Sequence, residues 1–167
     1  MMMVFKFRML SDENDNFVRD YELLYDTTLL AFHEFIRDSL NYEQSMVSFF
    51  TADSHWEKQR EFTLMDMDDG TEKSPLMMAD VTLGQILHQN RDRLIYLFDV
   101  FADRAYFLEL TGAQEAVKGG KYPRQVFAQG SAPDQFDPTA TEADGSIFEE
   151  MMGDFKEFEG DESYNDD

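Results

Sequence analysis

The stretch Leu94-Ile95-Tyr96-Leu97-Phe98-Asp99-Val100-Phe101 decides the fold class of this chain. Apolar side chains stand at its odd and its even positions alike, whereas a strand with one wet face alternates apolar and polar residues. The stretch is therefore predicted to be an interior strand of a sheet that is covered on both sides. One carboxylate, Asp99, interrupts it, and a charge buried there needs a partner or a proton.

Shorter strand patterns lie on both sides of this stretch. Two segments that alternate in polarity around a polar turn predict a β-hairpin near the start of the chain. The chain becomes rich in glycine and proline after residue 112, so regular structure is expected to thin out there. The predicted strands are residues 4–10, 17–24, 46–51, 61–67, 94–101 and 106–110.

Two helices are predicted between the strands. Residues 28–40 carry an apolar stripe at helical spacing and follow residues that can cap a helix. The second helix is predicted to begin at Thr82, which has the spacing of a capping box with Gln85, and to run to residue 87 or 88. The order β-β-α-β-β-α-β-β predicts an α+β fold with a mixed, largely antiparallel sheet and two helices.

Charge is the most unusual bulk property of the chain. Its 167 residues include 35 acidic and 14 basic side chains, for a net charge of −21. Nucleic-acid binding depends on Lys and Arg that neutralise phosphates, so direct binding of DNA or RNA is disfavoured and a basic protein partner is favoured. Cysteine is absent, which excludes disulfides and thiol chemistry. With no targeting signal and no long apolar run, a cytoplasmic location away from membranes is predicted.

Composition divides the chain near residue 133. Residues 1–133 are predicted to form the α+β domain, and residues 134–167, with 13 acidic residues and one lysine, a disordered acidic tail. Within this tail, residues 146–158 are a candidate amphipathic helix, because Ser146 and Glu149 can form a capping box. Its apolar stripe is the predicted partner-binding surface. The residues of the stripe are Ile147, Phe148, Met151, Met152 and Phe155.

Several motifs resemble those of the plasmid pRiA ORF-three-like family. Residues 27–42, with Phe32-His33 followed by Tyr42, are similar to its first helix, which carries Leu-His before an aromatic residue. Residues 81–87 and 94–99 resemble its second helix and its Tyr-x-Tyr-Asp strand. The likeness spans about residues 3–135. It implies a mixed α+β sheet with two helices and no established activity, while the family's label as an insertion-element passenger implies a link with mobile DNA.

The chain also departs from the family pattern. After the aspartate strand the family carries Gly-Asp-x-Trp-x-His, whereas residues 101–106 read Phe-Ala-Asp-Arg-Ala-Tyr. The histidine expected after the first aromatic residue is missing as well. These departures indicate a divergent branch of the family.

His33, Tyr96 and Asp99 form the candidate polar site. In a functional interpretation they converge in one pocket, with Asp99 as a general acid or base. In a structural interpretation His33 makes a buried hydrogen bond, and Asp99 accepts hydrogen bonds from the turn around residues 103 and 104. No catalytic residue is assigned. The three histidines share no ligand spacing and no phosphate-binding loop is present, so no metal or cofactor is predicted.

Function does not follow from these motifs, and three hypotheses remain open. The first is a non-enzymatic interaction module or adaptor whose acidic tail folds on an unidentified protein partner. The second is an accessory protein of mobile-element DNA transactions that acts through a protein partner. The third is an acid–base enzyme centred on Asp99.

Overall fold

A computed structural model of the protein describes residues 2–136. Eight strands form one sheet in the order β5-β4-β3-β6-β7-β1-β2-β8, and every neighbouring pair is antiparallel except β4 and β5. The mixed sheet and two helices confirm the predicted α+β class, but the sheet has eight strands rather than the six predicted, because β5 and β8 were not predicted. The strands are β1 Met3–Ser11, β2 Val18–Leu24, β3 Ser48–Ala52, β4 Lys58–Thr63, β5 Leu76–Met77, β6 Arg93–Asp99, β7 Arg104–Glu115 and β8 Arg124–Gln129.

The apolar stretch at residues 94–101 forms the interior strand β6. It pairs with β3 on one side and with β7 on the other, and its residues from Leu94 to Asp99 are buried. An interior strand needs apolar side chains on both faces, and this requirement explains why its polarity does not alternate.

Helix α1, Leu29–Leu40, begins where its capping residue predicts. Thr28 Oγ1 accepts a hydrogen bond from Ala31 N at 3.1 Å, and the helix ends at Asn41 in the left-handed conformation. The buried stripe of α1 packs on one face of the sheet, where the Phe32 ring stacks on the Phe49 ring with centroids 5.6 Å apart.

The second helix is shorter than predicted. A 3-10 turn at Met78–Asp80 precedes α2, which spans only Leu83–Ile86. Gln85 Oε1 accepts from Thr82 N at 2.9 Å, as the capping motif requires. The helix stops because Leu87 is extended and because Asp92 Oδ2 accepts from the amides of residues 88 and 89, which holds the following residues in a turn.

The two helix starts lie side by side. Thr28 and Thr82 form an isolated antiparallel bridge, in which Leu29 N donates to the Val81 carbonyl and Leu83 N donates to the Thr27 carbonyl. The backbone amides at both starts are thereby satisfied by the other segment, so each capping motif supports its partner.

The expectation that regular structure thins out after residue 112 is wrong. Strand β7 continues to Glu115, and β8 at Arg124–Gln129 pairs with β2 as the outer strand of the sheet. Long-range pairing with β1 and β2 overrides the local glycine and proline signals. An ion pair holds β8 in place: Arg124 Nη2 lies 2.8 Å from Oε1 of Glu22, whose side chain is buried.

The hydrophobic core lies between the sheet and the two helices. It draws on every strand from β1 to β7 except the two-residue β5, and the ring clusters around Phe32 and Tyr106 extend it along the sheet. None of the helices within residues 2–136 has the length and apolar character needed to cross a lipid bilayer. The predicted tail helix and its apolar stripe lie outside the described residues.

Candidate functional site

His33 and Tyr96 meet beneath helix α1. His33 Nδ1 lies 2.7 Å from the Tyr96 hydroxyl, and both side chains are buried. Burial lowers the pKa of His33 to about 4 and raises the pKa of Tyr96. The histidine is then neutral and carries one ring proton, and its tautomer decides which of the two groups donates in this hydrogen bond.

Asp99 reaches the helix-bearing face of the sheet through a β-bulge. Leu97 pairs with Ala105 but Asp99 pairs with Arg104, so β6 contains one extra residue, Phe98, at this point. A bulge changes the direction in which the next side chain points. Asp99 therefore lies opposite Arg104, on the face that Tyr106 shares, rather than on the face that strict alternation predicts.

All five N–H groups of Arg104 are used within the fold. Nε and Nη2 donate to the Glu13 carboxylate, each at 2.8 Å, and Nη1 donates to Asp99 Oδ2 at 3.2 Å. Nη1 also donates to the Gln135 carbonyl at 2.9 Å, and Nη2 to the Asp134 carbonyl at 2.7 Å. A guanidinium has five N–H donors, so none is left for a ligand.

The Arg104 cluster joins segments that are far apart in sequence. It holds the β1–β2 turn through Glu13, the end of β6 through Asp99, and the chain at residues 134 and 135. The guanidinium also lies 4.8 Å from the centre of the Phe98 ring. The bidentate contact with Glu13 raises the pKa of Arg104, so its charge is permanent.

A chain of hydroxyl groups lies beside this cluster. Tyr42 donates to the Pro133 carbonyl at 2.6 Å, and its oxygen is 2.5 Å from the Tyr106 hydroxyl. Because Tyr42 has one proton and directs it at the carbonyl, Tyr106 is the donor in the second bond. Burial raises the pKa of both tyrosines, so neither ionises near neutral pH.

The structure brings together two of the three residues of the predicted polar site. His33 and Tyr96 are hydrogen bonded, whereas Asp99 accepts from Arg104 and from Ala102 N. Within residues 2–136, no hydrogen bond joins Asp99 to either of the other two. The same residues contain no group of three or more His, Asp or Glu side chains arranged to hold a metal ion. The role of the trio stays a prediction.

A groove of about 590 Å³ opens on the other face of the sheet. Ser48 pairs with Leu97 and with Thr63, and all three line the groove. Their strand neighbours, such as Phe49 and Tyr96, point into the core, so alternation places the groove on the face opposite helix α1.

Three methionines give this groove its character, and we call it the methionine groove. Met46, Met65 and Met67 are 50%, 57% and 50% exposed, and they cluster around one groove, whereas single exposed apolar side chains are ordinary. Leu97 and Val100 supply the apolar floor. Among residues 2–136, the side chains that line the groove are Gln44, Ser45, Met46, Val47, Ser48, Glu61, Thr63, Leu64, Met65, Met67, Leu97 and Val100.

Elsewhere on this face, long side chains cover the sheet. The Trp56 ring packs edge-on against Phe107 with centroids 5.3 Å apart, and the Arg93 guanidinium lies 4.5 Å from the Trp56 ring centre. Lys58 lies over the Phe50 ring at 4.7 Å. Such cover is typical of a solvated sheet face, and the methionine groove lacks it.

Sequence reasoning did not find the groove. Its lining comes from the segment before β3, from β4 and the following loop, and from the end of β6, which only the sheet brings together. Met65 and Met67 were the one local signal; they fall within the predicted strand 61–67, but the structure places both after β4, where neighbouring exposed apolar side chains indicate an interaction site.

The fold and the groove together define the class of protein domain. The described part is an α+β domain with helices on one face of an eight-stranded sheet and an apolar groove on the other. A family model described as plasmid pRiA4b ORF-3-like protein matches residues 3–142, and the chain belongs to this family. The suspected resemblance is thereby confirmed.

A solved structure shares the fold. The crystal structure of MM3350, a protein of unknown function from Methanosarcina mazei Go1, has 11% sequence identity and a TM-score of 0.62. The similarity covers 77% of this chain and 70% of that one. Among curated proteins, none matches the chain.

Proposed function

We propose that the protein is a non-enzymatic protein-binding module and that the methionine groove is its binding surface. The observation that carries the proposal is the exposure of Met46, Met65 and Met67 around one groove. Methionine side chains are flexible and polarizable, and surfaces that bind protein segments use them for this reason. A volume of about 590 Å³ gives room for several apolar side chains of a partner.

The engagement of the polar groups supports binding rather than catalysis. Arg104 uses all its donors within the fold, and the Tyr42 and Tyr106 hydroxyls are hydrogen bonded to each other and to a carbonyl. His33 is buried and neutral at pH 7. A general acid or base has to reach a substrate, and these groups are occupied or enclosed.

The acidic tail is a second proposed contact with a partner. Its stripe of Ile147, Phe148, Met151, Met152 and Phe155 has the spacing of an amphipathic helix in a strongly acidic segment. The excess of carboxylates favours a basic protein as the partner of the whole chain.

Site-specific cross-linking tests the proposal. A benzoylphenylalanine is placed at Met67 of the full chain in its native host, with Val126 on β8, 49% exposed, as the matched control position. We expect a discrete protein adduct from position 67 and none from position 126. Adducts that are the same at both positions, or absent at both, would show that the groove is not a binding surface.

A further inference from the structure

We infer that the methionine groove binds a basic amphipathic helix of a protein partner. The inference rests on the proposed function and specifies the chemistry of its partner. Two features of the groove carry it, namely an apolar floor beside two hydroxyl groups that already donate within the fold, and an excess of carboxylates in the chain segments that supply most of the lining.

The floor of the groove is suited to contact with apolar side chains. Ser48 Oγ donates to Glu61 Oε2 at 3.0 Å, and Thr63 Oγ1 donates to the Met65 carbonyl at 2.7 Å. Both hydroxyl protons are therefore committed within the fold, and the remaining floor is apolar. A helix that presents apolar side chains at positions i, i+3, i+4 and i+7 matches such a surface.

Negative charge in the segments that line the groove favours a positively charged partner. The two segments that supply most of the lining, residues 43–48 and 61–69, contain five carboxylates and no lysine or arginine. Asp66 and Asp68 flank Met67 directly, and both are exposed. Charge complementarity sets orientation and association rate, so lysine and arginine beside the apolar anchors are favoured.

The same charge disfavours the acidic tail of the chain as the occupant. Residues 134–167 carry a net charge of −12, counted as 13 acidic residues and one lysine. Like charges brought together at an interface repel each other and disfavour binding. A nucleic acid is disfavoured for the same reason.

Binding of designed peptides to the full chain tests the inference. Three labelled 18-residue peptides are compared by fluorescence anisotropy: a Leu/Lys amphipathic helix, the same pattern with Glu for Lys, and the Leu/Lys composition in scrambled order. We expect the Leu/Lys helix to bind at least tenfold more tightly than either other peptide. We also expect its affinity to fall as salt is added, because screening weakens the charge attraction.

Two groove variants and one control locate the binding. The triple variant Met46→Ser, Met65→Ser, Met67→Ser should lose at least tenfold in affinity, whereas Met2→Ser, Val117→Ser, Val126→Ser should not change it. All six positions are exposed and the net charge is constant. The pair Asp66→Asn, Asp68→Asn keeps each side-chain oxygen that accepts from the loop backbone and should weaken binding about threefold. Thermal melting checks that every variant is folded.

The outcomes separate this inference from the proposed function. Equal binding of the ordered and scrambled cationic peptides, or binding that survives the methionine substitutions, would mean simple attraction to an acidic protein and would overturn the inference. Groove-dependent dimerisation of the chain, measured by sedimentation, would overturn it in favour of a second copy. If Met67 cross-links a partner but the Leu/Lys helix is not preferred, the inference fails while the proposed function stands.

Discussion

At the scale of single residues, burial decides the charge of His33. Its pKa is lowered from 6.5 to about 4, chiefly because burial penalises the imidazolium. As the pH falls from about 6.5 to about 4, the unfolded chain takes up a proton that the folded protein excludes. The stability present above pH 6.5 is therefore lost progressively within this window.

The variant His33→Asn tests this effect. Asparagine offers an acceptor oxygen and a donor NH2 group for the bond with Tyr96 but does not titrate. Between pH 7 and pH 4.5, the unfolding free energy of the wild type should fall by about 2 kcal/mol more than that of the variant. Urea unfolding at both pH values measures the difference, and parallel pH profiles would mean that His33 is protonated in the folded state.

Arg104 provides a second residue-scale prediction. Its guanidinium joins two carboxylates and two carbonyls, and its side chain is only 8% exposed. Lysine lacks the planar fork, so Arg104→Lys should lower the unfolding free energy by about 2–4 kcal/mol. The same change at Arg8, which makes a bidentate but exposed pair with Asp20, should cost less than about 1 kcal/mol. Equal losses in the two variants would contradict the argument.

Part of the arrangement of these buried polar residues could be predicted from the sequence. Burial of Asp99 was predictable from the apolar residues around it, and so was its need for a partner. The direction in which the Asp99 side chain points was not predictable, because the bulge at Phe98 depends on pairing between β6 and β7. The bond between His33 and Tyr96, 63 positions apart, likewise requires the helix to be docked on the sheet.

At the scale of elements, Gly84 allows the start of α2 to approach the chain that enters α1. Gly84 N donates to the Tyr25 carbonyl at 2.8 Å, and a Cβ here would lie 2.9 Å from Tyr25 Cδ2 and 3.2 Å from Tyr25 O. The ring can move but the hydrogen-bonded carbonyl cannot. Gly84→Ala should therefore destabilise the protein by about 1 kcal/mol, despite the better helix propensity of alanine.

Gly112→Ala is the matched control for this substitution. A Cβ at Gly112 would meet only Lys6 Cδ, at an ordinary 3.8 Å. Its melting temperature should stay close to that of the wild type, whereas Gly84→Ala should melt several degrees lower. A reversed order of the two melting temperatures would refute the close approach at Tyr25.

Elements with local signals were predictable, and elements made by long-range pairing were not. The start of α1 follows from Thr28 and from the apolar stripe, both readable in a short window. Strand β8 contains no such pattern. It forms because it pairs with β2 and because Arg124 makes an ion pair with Glu22. For α2 the local signal predicted too long a helix. The capping motif at Thr82 is present, but the turn held by Asp92 ends the helix at Ile86.

At the scale of the whole molecule, residues 132–135 complete the fold. Carbonyls in this segment accept hydrogen bonds from Tyr42 and Arg104, and the Gln135 side chain bonds to both backbone groups of Glu43. A chain that ends at residue 136 should unfold cooperatively, with a free energy close to that of the full chain. A chain that ends at residue 131 should be less stable by about 3 kcal/mol, since several part-buried hydrogen bonds are lost.

Calorimetry of the two shortened chains and the full chain checks this prediction. Equal stability of the two shortened chains would show that the segment is dispensable. A large loss in the chain ending at residue 136 would place stabilising contacts beyond the described residues.

Strand β8 has a consequence for how copies of the protein behave in concentrated solution. Its outer side is the rim of the sheet, and its only charged side chain, Arg124, is paired with Glu22. An outer strand whose one charge is neutralised by an ion pair is a template for further strands, and here mutual repulsion between molecules of net charge −21 opposes such growth. Near the isoelectric point of about 4.2 that barrier vanishes. Clouding and fibrillar association should then begin at residues 125–129, and the substitution Phe127→Lys should delay them.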